Sequence, residues 1–415
     1  MNEYYERNLI FYANKFFVEC INNFFETEST EIESVFHYTS TEVFDKIIEK
    51  ATFRASNVFY LNDSQEYKNG IETLKAMIKK QHEQGLVFDS LEKIVNNISS
   101  SDGKSFPGLY TISFSKEPDS LHQWITYAKE SGVAIELDYK LLQKNSGTSK
   151  WWLKQDIENE SNAGVLEMDI MKPLKYSFNT KETNNFAMAW ENVLNIMDEF
   201  STAKEKEDVS EITLRMLASH IKNERFTSES EVRIATFPLQ IRDNHTKIHY
   251  FSTKGILRPY IDVSFGYYQN DGFVKAIPIK SITIGPSGKQ QTVFDSVVHR
   301  LTYGVQKVYQ YNLEELNNNL SSYCNMVKEY YSKLEPITED LVDIIKISWF
   351  NKNEEYLNKA FPKLKNIDIS ELIGIKNLNL KLNSRQNEIL HKINEDFHFT
   401  REGIIIKKSS TPYIF

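Results

Sequence analysis

At 415 residues, with 40% hydrophobic and 13% aromatic content, the chain can bury a sizeable core and is long enough for two domains, or for one domain carrying a large insertion. Its formal net charge of −8 comes without a block of like charge, which argues against a nucleic-acid-binding arm, and its two cysteines, Cys20 and Cys324, are too few for a disulfide framework. No run approaches the roughly 18 apolar residues that span a bilayer, and Met1–Arg7 lacks the basic and apolar regions of a secretory signal, so a soluble cytoplasmic protein with no membrane contact is expected.

Residues 8–26 carry Leu9, Tyr12, Phe16, Cys20 and Phe24 at helical spacing. A short strand at Val35–Tyr38 then runs into Thr39-Ser40-Thr41-Glu42, a capping box that opens a helix over 41–50. Thr52–Arg54 and Val58–Tyr60 read as extended pieces, and Asp63-Ser64-Gln65-Glu66 has the spacing of a cap for a helix of about twenty residues. A second helix covers 87–98. Strands are expected at 109–115 and 132–137, on either side of a helix at 119–130. Residues 183–223 read as mostly helical, 231–284 as mostly strand, and 289–302 as a helix after the Gly285-Pro286 turn. The stretch 310–398 is helical and rich in Asn, Glu and Lys, yet a strand returns at Gly403–Lys408. The expected fold is therefore α+β: a mixed, mostly antiparallel sheet with surrounding helices. An N-terminal helix (1–34) precedes one domain formed by 35–309 plus 399–415, and 310–398 is a helical insertion.

Three polar clusters fall at strand ends. They are His37-Tyr38-Thr39-Ser40, Ser113-Phe114-Ser115, and Glu229-Ser230-Glu231-Val232-Arg233. In an extended chain, residues i and i+2 share a face, so Glu229, Glu231 and Arg233 are expected side by side. Like charges that close raise one carboxylate's pKa, which suits acid–base work or support of a developing cation. The same pattern also describes a charged sheet margin that Arg233 neutralises, with Lys222 and Arg225 offsetting the charge. A His, a hydroxyl and a Glu at three strand positions can hold the nicotinamide end of NAD, with the Glu stabilising the oxocarbenium ion as nicotinamide leaves. Each piece also has a purely structural reading. His37 lies between Phe36 and Tyr38 as a core histidine would, and Trp124, Tyr127 and Ala128 have the spacing of a core stripe. Ser113 and Ser115 fit the solvated face of an edge strand.

Phe36-His37-Tyr38-Thr39-Ser40, Leu61-Asn62-Asp63-x-x-Glu66, Ser113-Phe114-Ser115, Trp124-x-x-Tyr127-Ala128, Gly132-Val133, Phe226-x-x-Glu229-x-Glu231-x-Arg233 and Ile284-Gly285-Pro286 together resemble a bacterial family of unknown function. Its closing Ser-x-x-Pro-Tyr pattern is similar to Ser409/Ser410-Thr411-Pro412-Tyr413, and the resemblance covers roughly 35–305 plus 399–415. The motif order is similar to that of ADP-ribosyltransferases. In that resemblance His37 corresponds to the first-strand His of one subgroup. Ser113 or Ser115 and Glu229-x-Glu231 correspond to elements of another, and the mixture departs from both. It implies NAD as substrate with no metal. Glu231 would be the principal catalytic carboxylate and Glu229 the orienting one, with His37 and Ser113 or Ser115 holding NAD beside Tyr38, Thr39, Trp124, Tyr127 and Arg233. The acceptor would be a macromolecule, protein or nucleic acid. The resemblance also admits a toxic effector of phage defence, held by a neutralising or sensor partner.

A non-catalytic nucleotide-sensing or protein-interaction module is the other class of reading. It would be supported by exposure of Leu313, Leu316, Leu320 and Tyr323 on the 310–398 helices. A metal-dependent nuclease using Asp63, Glu66 and the glutamate pair is a third, without a recognisable metal-site spacing. Gly285–Gln290 is too short for a P-loop, no HExxH or G-x-S-x-G motif occurs, and His245 and His249 stand about 13 Å apart on a strand, too far to share zinc.

Overall fold

The computed structural model describes residues 13, 16–18, 32–61, 65–85, 89–100, 108–128, 131–143, 151–156, 165–167, 171–178, 182–185, 190, 203–238, 240–241, 244–253, 255–269, 272–332, 340–361 and 384–411. The expected helix at 8–26 lies almost wholly outside them, as do Cys20, Asp63, Pro412 and Tyr413. In chain order the strands are β1 (Ser34–Ser40), β2 (Thr52–Asn57), β3 (Tyr110–Ser115), β4 (Gly132–Asp138), β5 (Trp151–Gln155), β6 (Val165–Glu167), β7 (Met171–Pro173), β8 (Glu231–Thr236), β9 (Gln240–Ile241), β10 (Asn244–His245), β11 (Ile248–Thr253), β12 (Ile256–Gln269), β13 (Gly272–Lys275), β14 (Ile279–Ile284), β15 (Phe397–Phe399) and β16 (Ile405–Lys408). The helices are α1 (Thr41–Lys50), α2 (Glu66–Glu83), α3 (Asp89–Ser100), α4 (Tyr139–Gln143), α5 (Ala203–Ala218), α6 (Gln290–Tyr303), α7 (Leu313–Ser332), α8 (Asp340–Ala360) and α9 (Ser384–Asp396). The fold is α+β, and its strand pairing is mixed and mostly antiparallel. No helix among the described residues is long and apolar enough to cross a membrane.

The chain divides into two compact units, the first comprising residues 1–35, 50–117 and 139–276, the second 36–49, 118–138 and 277–415. In the first unit the strands run in the order β3-β2-β12-β5-β6, with β11 and β13 on β12, and with β8 joining β3 to β7. β12 is 14 residues long and organises this sheet, because successive stretches of it pair with β11, β2, β5 and β13. β8 is buried at all six positions, as a strand between two partners must be. Val58–Tyr60 is a 3₁₀ turn and not a strand, because the Asn57 side chain accepts the Phe59 N–H and turns the chain.

In the second unit the order is β15-β16-β14-β4-β1, and β16 lies parallel to β14. At the start of α1 the Ser40 Oγ accepts the Val43 N–H at 3.3 Å, and Glu42 pairs with Lys46 one turn on. The segment Trp124–Ala128 winds as a π turn. The described helices of the 310–398 stretch belong to this unit together with the strands that follow. Tyr323 of α7 stacks on Phe399 at 5.2 Å, Trp349 of α8 meets the same ring at 5.3 Å, and its indole N–H donates to the Thr400 carbonyl. Leu316, Leu320 and Tyr323 are buried and Leu313 is half-buried, so this stripe does not offer the exposed apolar face that would support an interaction module. Cys324 is buried on α7.

Candidate functional site

Four side chains of the first unit close a ring of ion pairs. Lys222 Nζ stands 2.9 Å from Glu231 Oε2 and 3.2 Å from Glu66 Oε2, and Arg233 reaches Glu66 Oε1 at 2.5 Å and Glu231 Oε1 at 2.6 Å. Glu229 adds a fifth member, accepting from Lys222 Nζ at 2.8 Å. All five residues are buried. Three carboxylates face two cations here, a formal charge of −1 over Glu66, Lys222, Glu229, Glu231 and Arg233.

Local structure explains how these residues meet. Glu231 and Arg233 alternate along β8, so they share a face, and Arg233 Nε donates to Glu231 Oε1 at 2.8 Å. Glu229 does not lie on the strand. It ends a 3₁₀ turn, Glu224–Glu229, and Ser230 in the left-handed region (φ 45°) reverses the chain into β8. The two glutamates therefore converge through a turn and not through strand alternation. Glu66 comes from the first turn of α2, one turn before Gly70. A Cβ at Gly70 would stand 2.1 Å from the Ala218 carbonyl oxygen, so only glycine lets α2 seat this closely on the end of α5. Just beyond that contact, the Ser219 carbonyl accepts from Arg233 Nη1 at 2.5 Å. Glu66, which the sequence presents as a cap, leaves the helix N-terminus without a side-chain bond at its Gln65 cap.

The electrostatics reverse one expectation. Burial pushes the Glu231 carboxyl upward, but Arg233 and then Lys222 outweigh it and hold its pKa at about 2, with a hydrogen bond from Ser113 adding to the effect. Repulsion between the glutamates thus loses to two cations at hydrogen-bonding distance. The same carboxylates, Glu231 first, raise the Lys222 and Arg233 pKa values despite the opposing effect of burial. Burial also forces His220 down to about 4. Tyr176 donates no charge here; burial lifts its hydroxyl to about 12, and that oxygen accepts the Glu231 N–H at 2.9 Å.

Tyr176 and Lys222 also line a cleft of roughly 310 Å³, with Asn69 and Thr73 of α2 and with Phe178 and Asn223 among its other walls. Glu229 and Glu231 lie behind Lys222 and do not line it. Of the residues expected at the site, Glu229, Glu231, Arg233, Ser113 and Ser115 are together in this unit. The Ser115 hydroxyl donates to the Glu229 carbonyl at 2.8 Å, and Ser115 is buried where a solvated strand face was one expectation; Ser113 is exposed.

His37, Tyr38, Thr39, Trp124 and Tyr127 belong to the second unit. Tyr38 and Trp124 pack edge to face at 4.7 Å in a buried cluster with Phe36, Ala128 and Ala134. Their polar atoms are used internally: the Tyr38 hydroxyl accepts the Ser120 N–H, and Trp124 Nε1 donates to Asp119 at 2.7 Å. Asp119 in turn accepts from the Ser409 and Ser410 hydroxyls. Gly285 packs under the Trp124 ring, 2.9 Å from an added Cβ, and donates its N–H to the Gly132 carbonyl. Thr39 is buried, His37 half-buried and Tyr127 exposed. The Trp, Gly-Val, Gly-Pro and terminal Ser motifs therefore meet as one packing arrangement. Sequence reading set Glu66 beside the glutamates only in the metal-dependent nuclease reading, missed Tyr176 and gave Lys222 only an offsetting role. The Asp63-x-x-Glu66 motif was the available signal for Glu66.

Residues 123–234 match the model of a family described as a protein of unknown function (DUF2971). That stretch is narrower than the motif resemblance and takes in Lys222, Glu229, Glu231 and Arg233. No curated protein and no solved structure matches the chain.

Proposed function

We propose that the first unit is an ADP-ribosyltransferase-like enzyme that takes NAD in the cleft beside Tyr176 and Lys222. The observation that carries this reading is an ionised Glu231, held with Glu229 on one lysine, next to a polar cleft and within a cluster of net charge −1. Cleavage breaks the bond between the nicotinamide nitrogen and C1′ of the ribose. The electron pair leaves with nicotinamide, the positive charge passes to the ribosyl carbon, and a nucleophile of a macromolecular acceptor captures it and releases its proton to solvent. A carboxylate that never protonates at neutral pH cannot serve as a general acid; its role is electrostatic support of the cation. Lys222 must shift for Glu231 to meet substrate directly, because it stands between the carboxylates and the cleft.

A second reading is a nucleotide-sensing module without turnover. It is favoured by the contacts of Lys222 with three carboxylates, which make the cluster a buried brace behind the cleft. One experiment separates the two: NAD binding and nicotinamide release by the purified chain, with and without cell lysate, for wild type, Glu231→Gln and Thr73→Phe. The enzyme predicts release by wild type with label reaching a lysate macromolecule, lost in both variants. Binding that only Thr73→Phe abolishes, with no release, identifies a module. Neither binding nor release overturns both readings. As a toxic effector, the wild type would also arrest growth on expression, and Glu231→Gln would not.

A further inference from the structure

The edge of β12 changes partners at Asp262. β11 pairs along Ile256–Ile261, and β5 takes over from Val263. Asp156, which follows β5, donates its N–H to the Asp262 carbonyl at 3.0 Å and accepts the Lys247 N–H at 2.8 Å, so it is fixed at this seam. His249 of β11 pairs with Tyr260, two residues from Asp262 and on the same face. Three residues distant in sequence are thereby placed together by strand register.

We propose that Asp156, His249 and Asp262 bind a divalent first-row transition-metal ion. One ligand atom from each lies within 4.8 Å of the others, and His249 Nε2 stands 4.0 Å from Asp156 Oδ2 and 4.0 Å from Asp262 Oδ2. That nitrogen is buried and has no hydrogen-bond partner, an unusual position for a polar ring atom flanked by two carboxylates. Its ring is oriented by stacking on Tyr260 at 5.3 Å and 27°. Tetrahedral ligands at zinc–ligand lengths of about 2.0–2.1 Å stand roughly 3.3 Å apart, so each carboxylate must close on the imidazole by about 0.7 Å, and the two carboxylates, within 4.8 Å of each other, by up to about 1.5 Å. Both are partly exposed, with side-chain exposures of 44% for Asp156 and 30% for Asp262, which permits that rotation and leaves a coordination position for water.

The surrounding charges fit as well. Lys247 Nζ approaches Asp156 through its other oxygen, Oδ1, at 3.6 Å and leaves Oδ2 to the metal. Mixed imidazole and carboxylate donors suit zinc, manganese or iron better than calcium or magnesium. This inference is independent of how the buried charge cluster functions, and it departs from the metal-free expectation of the sequence, which compared His249 only with His245. The His245 side chain is not a ligand; His249 finds its partners on other strands.

The test is a titration of the chelator-treated full chain with Zn²⁺ by calorimetry, and with Co²⁺ by visible absorption, which reports nitrogen and oxygen ligation. One ion per chain is expected, with a loss of at least ~100-fold in affinity in His249→Ala and in Asp262→Asn, and none in Lys247→Met. Circular dichroism checks each variant's fold, and Asp156→Asn serves if either ligand variant fails to fold. No uptake by the wild type, or equal uptake by the ligand variants, overturns the proposal.

Discussion

Glu231 gives up its proton far more readily in the folded chain than in water, and His220 takes one far less readily. For Glu231, burial raises the pKa, but Arg233 and Lys222 prevail and set it at about 2, against 4.5 for a free side chain. For His220, burial dominates and sets it at about 4, against 6.5. The linkage follows from which state binds more protons. Between pH 6.5 and 4 the unfolded chain protonates its histidine while folded His220 stays neutral, so stability falls as pH falls through this window. Between 4.5 and 2 the unfolded chain protonates its glutamate while folded Glu231 stays ionised, so the decline continues. The His220 contribution is roughly 3 kcal/mol across its window at about 1.4 kcal/mol per pKa unit. The urea midpoint should therefore fall from pH 6.5 downward, and His220→Gln should flatten the upper window and leave the lower one. An unchanged slope in that variant would remove His220 from the account. At this scale the sequence was only partly legible. Arg233 was readable as a partner of Glu231 because they alternate on one strand. The sign of the pKa shift was not, because it depends on Lys222, nine residues away, and on a ring closed by Glu66, 167 residues from Arg233.

Elements meet here through contacts that only small side chains permit. Gly70 faces the Ala218 carbonyl from the second turn of α2, where helix propensity alone would favour alanine by about 1 kcal/mol. A methyl group 2.1 Å from a backbone oxygen cannot be accommodated by a rotamer change, so the helix itself must move. Overpacking of this kind costs about 1–3 kcal/mol, which outweighs the propensity gain. Gly70→Ala is therefore expected to lower the urea midpoint and to weaken ligand binding in the adjoining cleft, which Gly70 lines. A midpoint at or above wild type would show that α2 is not seated on α5 in solution. Strand identities were largely legible, because alternation marks β3, β4 and β14 directly. Boundaries failed where a side chain overrode local pattern: Asn57 turns Val58–Tyr60 into a 3₁₀ turn, and the left-handed Ser230 takes Glu229 off β8. The short strands β5, β6 and β7 carried too little alternation to be read at all.

At the scale of the chain, the helical stretch 310–398 was legible as a compositional change before a returning strand, and it was expected to be an insertion before the last strand of one sheet. Its described helices pack on the strands that follow it. α7 and α8 bury Leu316, Leu320, Tyr323, Trp349 and Phe350, and two of those rings contact Phe399 of β15. Asn319 donates to the Gly403 carbonyl, and Trp349 donates to that of Thr400, so the turn between β15 and β16 takes hydrogen bonds from both helices. β16 in turn pairs with β14, next to β4 in the sheet of the second unit. Removing 313–396 and bridging the gap with a flexible linker would expose the inner face of Phe399, take the Asn319 donor from the Gly403 carbonyl and leave the Thr400 carbonyl only the Gly403 N–H. Losing aromatic core packing alone costs about 3–5 kcal/mol for one large side chain, a large fraction of a typical domain's stability. The shortened chain is thus expected to aggregate or to lose the cooperative urea transition of the second unit, followed by near-ultraviolet circular dichroism. A soluble product that keeps the transition would show the helices to be an accessory module, and would return the partner-binding reading to them.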